Sequence, residues 1–399
     1  MRSSCLTAML AVVAGWSSSC DSDGANSAPT PAPAQVVAIE LRDGCTPGFV
    51  ARPGYVPIKE IPSLGGSQVF IEDINDDGVA VGGSSIANGN VHAIRHTDSG
   101  GVQDLGALGG FGARSLATAI ASDGAIGGQA DRADGTAVSF GHRFTAAAGR
   151  TEICPASCSV WDLNARGQVV GLLPGRDATL WQAFVHSPGD GLRALGALGG
   201  QRSSASAISE AGVVVGNAQI ATSAADDIGH AFVYDSRQQG AEMRDLNAVA
   251  DARGWVLQTA NDVNDAFIAG YGRRGGATRA YRIDLATHAV HDLGTIPGGG
   301  DSFGWGVDRH GDVVGWAKDE LGHKTAFVYA AGLGGIRRLA DFVDPALGWE
   351  LAEAKAVNAR GMIVGTGTRH GEPRGFKLAL PLCVDAAWAP SAGSQTFPR

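Results

Sequence analysis

Ile208-Ser209-Glu210-Ala211-Gly212-Val213-Val214-Val215-Gly216 is the stretch on which the fold turns. An apolar residue opens it, a polar turn ends at Gly212, a β-branched run follows and a second glycine closes it. The phrase returns at Ile74–Gly82, Ile120–Gly128, Leu163–Gly171, Val307–Gly315 and Val357–Gly365, and one residue shorter at Val263–Gly270. The closing glycines 82, 128, 171, 216, 270, 315 and 365 stand 46, 43, 45, 54, 45 and 50 residues apart. Self-similarity at a nearly fixed period marks a repeat architecture.

Two further phrases share the period. The first is a small residue followed by an aromatic or branched one, clear at His230-Ala231-Phe232-Val233-Tyr234, Gln182-Ala183-Phe184-Val185 and Thr325-Ala326-Phe327-Val328-Tyr329. Weaker copies are His92-Ala93-Ile94, Arg279-Ala280-Tyr281 and Arg374-Gly375-Phe376. The second is Asp104–Gly110 (DLGALGG), Leu195–Gly200 (LGALGG) and Asp292–Gly299 (DLGTIPGG), eroded at Asp245-Leu246-Asn247 and Arg338-Leu339-Ala340. The third unit lacks it, and the Cys154–Cys158 segment stands there instead.

Each unit reads as four short strands. The polar turn closed by glycine, between apolar runs, is a hairpin in which glycine supplies a positive φ. The Val-Val-Gly run is the second strand, the aromatic phrase the third and the approach to Asp-Leu-Gly the fourth. Helical periodicity is absent, and 59 glycines in 399 residues, about 15%, would penalise helices. Four strands in about 47 residues is one propeller blade. The expected fold is therefore all-β, a seven-bladed β-propeller within residues 35–383. Residues 55–66 resemble the fourth-strand phrase, and the last unit ends at its third strand, Gly375-Phe376-Lys377-Leu378. An N-terminal strand is thus expected to complete the last blade and close the ring. An open solenoid is the rival arrangement.

Composition limits the rest. A hydrophobic content of 44% supports a packed core. Lys plus Arg is 31 and Asp plus Glu 40, a net charge of −9, which argues against a nucleic-acid surface. Met1-Arg2, the apolar Leu6–Trp16 stretch and Ser17-Ser18-Ser19 before Cys20 read as an export signal over 1–20. A cysteine after a small-residue run resembles a bacterial lipoprotein site, with Cys20 lipidated; free secretion after simple cleavage is the alternative. Residues 21–34, rich in Ser, Pro and Ala, read as a flexible tether, and 384–399 as an irregular tail. Beyond position 20 the cysteines are Cys45, Cys154, Cys158 and Cys383. In an oxidising compartment four cysteines pair in one of three ways. Sequence proximity suggests Cys154–Cys158, which leaves Cys45–Cys383 as a clasp between the ends.

The combination of His-Ala-Phe, Asp-Leu-Gly-x-Leu-Gly-Gly and Ala-Ile-Asn-x-x-Gly-x-Val-Val-Gly resembles the HAF family of bacterial extracellular repeats. The likeness covers most of residues 58–380. It implies an exported bacterial repeat protein of propeller type and brings no catalytic residues with it.

Candidate site residues come from two repeat columns. Asp73, Asp162 and Asp262 stand just before the apolar turn residue in units one, three and five, where Ala119, Ala207, Gly306 and Ala356 stand elsewhere. Carboxylates near a propeller axis could take a cation or a polar ligand; blade-junction carboxylates that accept backbone N–H groups are the alternative. Trp161 and Trp305 share the preceding column with Glu72, Thr118, Ser206, Asn261 and Lys355. Facing a mouth of the ring, these indoles could stack on a sugar or peptide; packing between blades is the other reading. No Walker loop, dinucleotide fingerprint, HExxH or nucleophile elbow occurs, so no cofactor or metal is expected. The expected function is a monomeric, exported, non-catalytic binding module for a protein, peptide or envelope polysaccharide, lipid-anchored or secreted. The alternative is a hydrolase or lyase using carboxylates at the channel mouth.

Overall fold

Each repeat folds as one four-stranded antiparallel sheet, and seven such sheets form the molecule, a seven-bladed β-propeller. The computed structural model describes residues 55–106, 114–131, 139–154, 157–174, 180–221, 229–238 and 240–380. The expected signal segment 1–20, tether 21–34, Cys20, Cys45, Cys383 and tail 384–399 lie outside the described residues. Blades one to six span residues 65–106, 115–152, 159–196, 199–245, 255–294 and 302–338. In the fourth, Gly199–Ile208, Val213–Ile220, His230–Asp235 and Arg244–Asp245 pair in chain order. Each first strand touches the first strand of the next blade, and blade seven's touches blade one's, so the first strands ring the axis. The fourth strands lie outside, as the exposed pattern of Gly101–Gly106 and Gly191–Gly196 shows.

The core sits between blades. Seven apolar clusters occur among the described residues, and each joins two adjacent blades. This explains the continuous β-branched runs, because a strand buried on two faces needs no polar alternation. Val213 and Val215 pack towards blade five while Val214 packs towards blade three. Val169 and Val170 divide in the same way between blades two and four.

The recurrent glycines have two separate causes. The turn glycines Gly78, Gly124, Gly167, Gly212, Gly311 and Gly361 all have positive φ, between 70° and 89°, as a hairpin of this kind needs. The closing glycines are held by close approach. A Cβ on Gly82, 128, 171, 216, 270, 315 or 365 would lie 1.9–2.1 Å from a carbonyl oxygen of the first strand. In blades three to seven the aromatic ring of the third strand, such as Phe232 over Gly216, fills the space beside it.

The ring closes as expected. Ile58–Ile61 pairs with Glu372–Ala379 as the outer strand of blade seven. Glu60 binds Arg369 at 2.7 Å and Arg374 at 2.8 Å. Burial would raise the Glu60 carboxyl, but the two guanidiniums outweigh it and hold it below the usual range. Across the junction with blade one, Asn358 donates to the Asn75 carbonyl at 2.8 Å, the Ala359 N–H to Asp76 at 2.9 Å and Lys377 to the Gly78 carbonyl at 3.1 Å. The buried Lys377 also pairs with Asp98, which Lys59 of the closing strand meets at 2.7 Å.

Two features depart from the plain four-strand reading. Where the Asp-Leu-Gly phrase is eroded, the chain makes one helical turn. Leu246–Val249 starts under Asp245, whose carboxylate accepts the Asn247 N–H, and Leu339–Phe342 is a 3-10 turn. In intact copies the aspartate accepts the N–H of the glycine two residues on, at Asp104–Gly106 (2.6 Å) and Asp292–Gly294 (2.9 Å). Without that positive-φ glycine, the same aspartate caps a helical turn instead. The Cys154–Cys158 disulfide forms and lies between the outer strand of blade two and the inner strand of blade three, so the unit without the Asp-Leu-Gly phrase is the second and not the third.

Replacing Gly216 by alanine is expected to cost more than about 3 kcal/mol or to prevent folding, because backbone lies where the methyl would go. Gly300→Ala is the control: its nearest neighbour would be Lys318 Cβ at 3.7 Å and no positive φ is required, so stability should stay within about 1 kcal/mol of the parent. Urea titration of the two variants checks this, and an equal loss would refute the close-approach argument.

Candidate functional site

The first strand of every blade carries a β-bulge. The register slips between Ile71 and Asp73, Ala117 and Ala119, Val160 and Asp162, Ala205 and Ala207, Ala260 and Asp262, Gly304 and Gly306, and Ala354 and Ala356. The skipped residues are Glu72, Thr118, Trp161, Ser206, Asn261, Trp305 and Lys355, the variable column of the sequence. A bulge leaves one residue out of the ladder and re-aims its side chain. Seven bulges at one register therefore build a ring of seven half-buried side chains on the innermost strands.

The aspartate column is tied to backbone. Asp73 accepts the N–H of Ile74 in its own strand and of Ile120 in blade two, each at 2.7 Å. Asp162 does the same for Leu163 and Ile208, and Asp262 for Val263 and Val307, again at 2.7 Å. Each carboxyl thus joins an odd blade to the following even blade with both oxygens engaged. The even blade answers further out. Ser115 accepts the Ala93 N–H at 2.8 Å and donates to the Gly106 carbonyl at 2.7 Å. Ser302 does so for Ala280 (2.9 Å) and Gly294 (2.7 Å), and Ser203 for Ala183 and Gly196.

Burial is the main influence on these carboxyls. It pushes Asp73 up to about 7 and Asp262 up to about 6, although the two N–H groups at each favour the charged form. Asp162 is also raised well above the usual range, first by burial and then by Asp73. Asp73 in turn feels Asp262 and Glu72. The three aspartates, far apart in sequence, therefore lie within electrostatic reach of one another. Among the described residues no three His, Cys, Asp or Glu side chains are placed to hold a metal ion.

The two tryptophans have different surroundings. Lys355 lies over the Trp305 ring at 4.1 Å and between Glu72 (3.6 Å) and Glu353 (3.4 Å), which spans blades six, seven and one. Burial would lower the Lys355 ammonium, but Glu72 and Glu353 outweigh it and hold it above the usual range. Lys324 meets the second oxygen of Glu353 at 2.6 Å. Trp305 is thus clamped within the protein, its indole N–H buried without a partner. Trp161, at the same register in blade three, has no ring, cation or hydrogen-bond partner among the described residues. The sequence column held both tryptophans; only the structure separates them. It also adds Lys355, Glu72 and Glu353 as one cluster, for which the alternating charge at 353 and 355 was the available sign.

No family and no curated protein matches the sequence. Several solved structures are similar to this chain. Oligogalacturonate lyase from Vibrio parahaemolyticus is 11% identical over 84% of this chain and 96% of that one, with a TM-score of 0.51. A manganese-bound oligogalacturonate lyase is 12% identical over 82% and 93%, with a TM-score of 0.50. At such identity the likeness shows the fold alone. TolB from Acinetobacter baumannii is 9% identical with a TM-score of 0.37, and this chain spans about half of TolB, 54% of its length. No helix among the described residues is long and apolar enough to cross a membrane.

The raised aspartates give a definite pH dependence. A carboxyl whose folded pKa exceeds its unfolded value of about 3.9 contributes stability that is full below that value and is lost as pH rises through the folded pKa. Asp262 and Asp73 therefore withdraw stability as pH rises through about 6 and about 7. The thermal midpoint should be several degrees higher at pH 5 than at pH 8. Asp73→Asn should lower stability at pH 5 by about 1–3 kcal/mol, by turning an amide donor towards a backbone N–H, and should shrink the drop between pH 5 and 8. Calorimetry across that range decides; a midpoint that climbs with pH would contradict it.

Proposed function

We propose that the chain is a non-catalytic recognition module, exported and held at the bacterial envelope through Cys20. On this reading it belongs with the HAF repeats, and its axial ring binds a protein, peptide or envelope polysaccharide. One observation carries the reading. The backbone repeats the same bulge in all seven first strands, while the side chains presented there are Glu, Thr, Trp, Ser, Asn, Trp and Lys. The neighbouring closing glycine, by contrast, is the same in all seven blades. A constant frame with a varied lining is what recognition of an irregular ligand needs, whereas packing alone would favour one residue type.

The carboxyl chemistry supports binding over catalysis. A hydrolase or lyase needs an acid and a base with an oxygen available to substrate. Asp73, Asp162 and Asp262 each give both oxygens to backbone N–H groups. Glu353 is held by Lys324 and Lys355, which keep it ionised against the effect of burial.

A photocrosslinking amino acid at Ser206, in the ring, should capture an envelope component on intact cells. The same residue at Gln103, exposed on an outer strand, should capture none. Mass analysis of the adducts reads the result. Capture at both positions, or at neither, would count against an axial recognition surface.

A further inference from the structure

We infer that the blade three to four sector of the axial ring is a binding site for a neutral polysaccharide chain, with Trp161 as its stacking platform. The inference rests on the recognition reading above and names the ligand class and the sector. Six tryptophans are described, and five carry a cation over the indole. The pairs are Trp181 with Arg202 (5.1 Å), Trp255 with Arg274 (5.3 Å), Trp305 with Lys355 (4.1 Å), Trp316 with Lys324 (4.8 Å) and Trp349 with Arg369 (6.0 Å). Trp161 alone has no such partner, and it is half-buried on an innermost strand at a bulge. A large amphipathic ring left without an internal partner at that register is suited to a ligand.

Its neighbours in the repeat define the chemistry. Two residues before the bulge stand Ser159 in blade three and Ser204 in blade four, and Ser206 is the next residue of the bulge column. None of these three hydroxyls has a protein partner among the described residues, and neither does Asn217, which pairs with Ser204 across the strand. Every residue at the bulge column and two positions before it in blades two to four is uncharged. The opposite sector, in blades seven and one, holds Lys355, Glu72 and Glu353, already bonded to one another. Hydroxyls that donate and accept, beside a half-buried indole, match a pyranose. Its C–H face covers the ring and its hydroxyls exchange hydrogen bonds with serine and asparagine. An acidic sugar would meet no cation at these positions of blades two to four. A peptide adding along the strand edge would meet an Ile208 N–H already taken by Asp162.

Affinity electrophoresis of the whole mature chain through gels containing xylan, mixed-linkage β-glucan, galactomannan or dextran, with polygalacturonate as the acidic probe, tests this. Retardation by at least one neutral polymer is expected. Trp161→Ala should weaken it at least tenfold, and Trp161→Phe should keep a measurable part, so that loss of the ring is told apart from loss of fold. Leu321→Ser, 76% exposed on blade six, should bind as the parent does. Retardation by polygalacturonate alone would overturn the neutral class. Neutral binding that survives Trp161→Ala would overturn the sector. No retardation by any polymer would overturn the inference, and crosslinking at Ser206 to a protein in that case would leave the recognition reading standing.

Discussion

A first-strand carbonyl oxygen lies 1.9–2.1 Å from where a Cβ would sit on each of the seven closing glycines. Most of the molecule depends on that approach. It occurs beside the bulge of each first strand, where the local twist is stronger. Glycine makes the approach possible, and the third-strand aromatic then fills the space that a missing side chain leaves. Phe184, Phe232, Phe327, Phe376 and Tyr281 are all fully buried for this reason. The bulge, the glycine and the aromatic form one unit. The bulge that requires the glycine also turns one side chain per blade inward, so the packing constraint and the candidate site have a common origin.

The ring is not seven equal joints. Asp73, Asp162 and Asp262 bind blades one to two, three to four and five to six, and Ser115, Ser203 and Ser302 bind the same pairs further out. Asn75, Asn164 and Asn264 reach across these junctions as well, donating to carbonyls of the following hairpin. These side chains answer the N–H and C=O groups that a short open sheet leaves at its edges. The molecule is thus three stapled pairs and one odd blade. The odd blade keeps the asparagine contact through Asn358 and replaces the aspartate and serine staples by Lys377, Lys355 and the Glu60 ion pairs. Apolar clusters fill every junction, so the polar staples fix register and pairing while burial supplies most of the cohesion.

Much of this was legible in the sequence, and for identifiable reasons. The polar turn with its glycine, the double-sided Val-Val run and the Asp-Leu-Gly phrase each have one dominant local cause, so strand count, blade count and closure by a strand within residues 55–66 could be read directly. The alternation of aspartate in units one, three and five was visible too, as was the possibility that each accepts backbone N–H groups at a blade junction. The bulge was harder to see. Its trace is the spacing of Ile71 and Ile74, three apart where a regular strand would put them two or four apart, and that irregularity is small in a single copy. The one-turn helix after Asp245 follows from loss of a single glycine, whereas at Arg338 both the aspartate and the glycine of the phrase are gone.

The site was half legible, because a column can be read from sequence but its occupancy cannot. Trp161 and Trp305 are equivalent in every sequence sense, at one register of one repeat. What separates them is the residue at the same register one blade further on. Lys355 follows Trp305 and lies on its ring, whereas Ser206 follows Trp161 and is too short to cover an indole. Glu72 and Glu353 then hold Lys355 in place from two sides. In one sector Lys355, Glu72, Glu353 and the Trp305 ring hold one another, and in the other an indole and three hydroxyls have no protein partner among the described residues. A propeller assembled only to pack would be expected to pair the whole ring as it pairs Lys355. The asymmetry between blades three to four and blades six to one is the observation on which the proposed polysaccharide site rests.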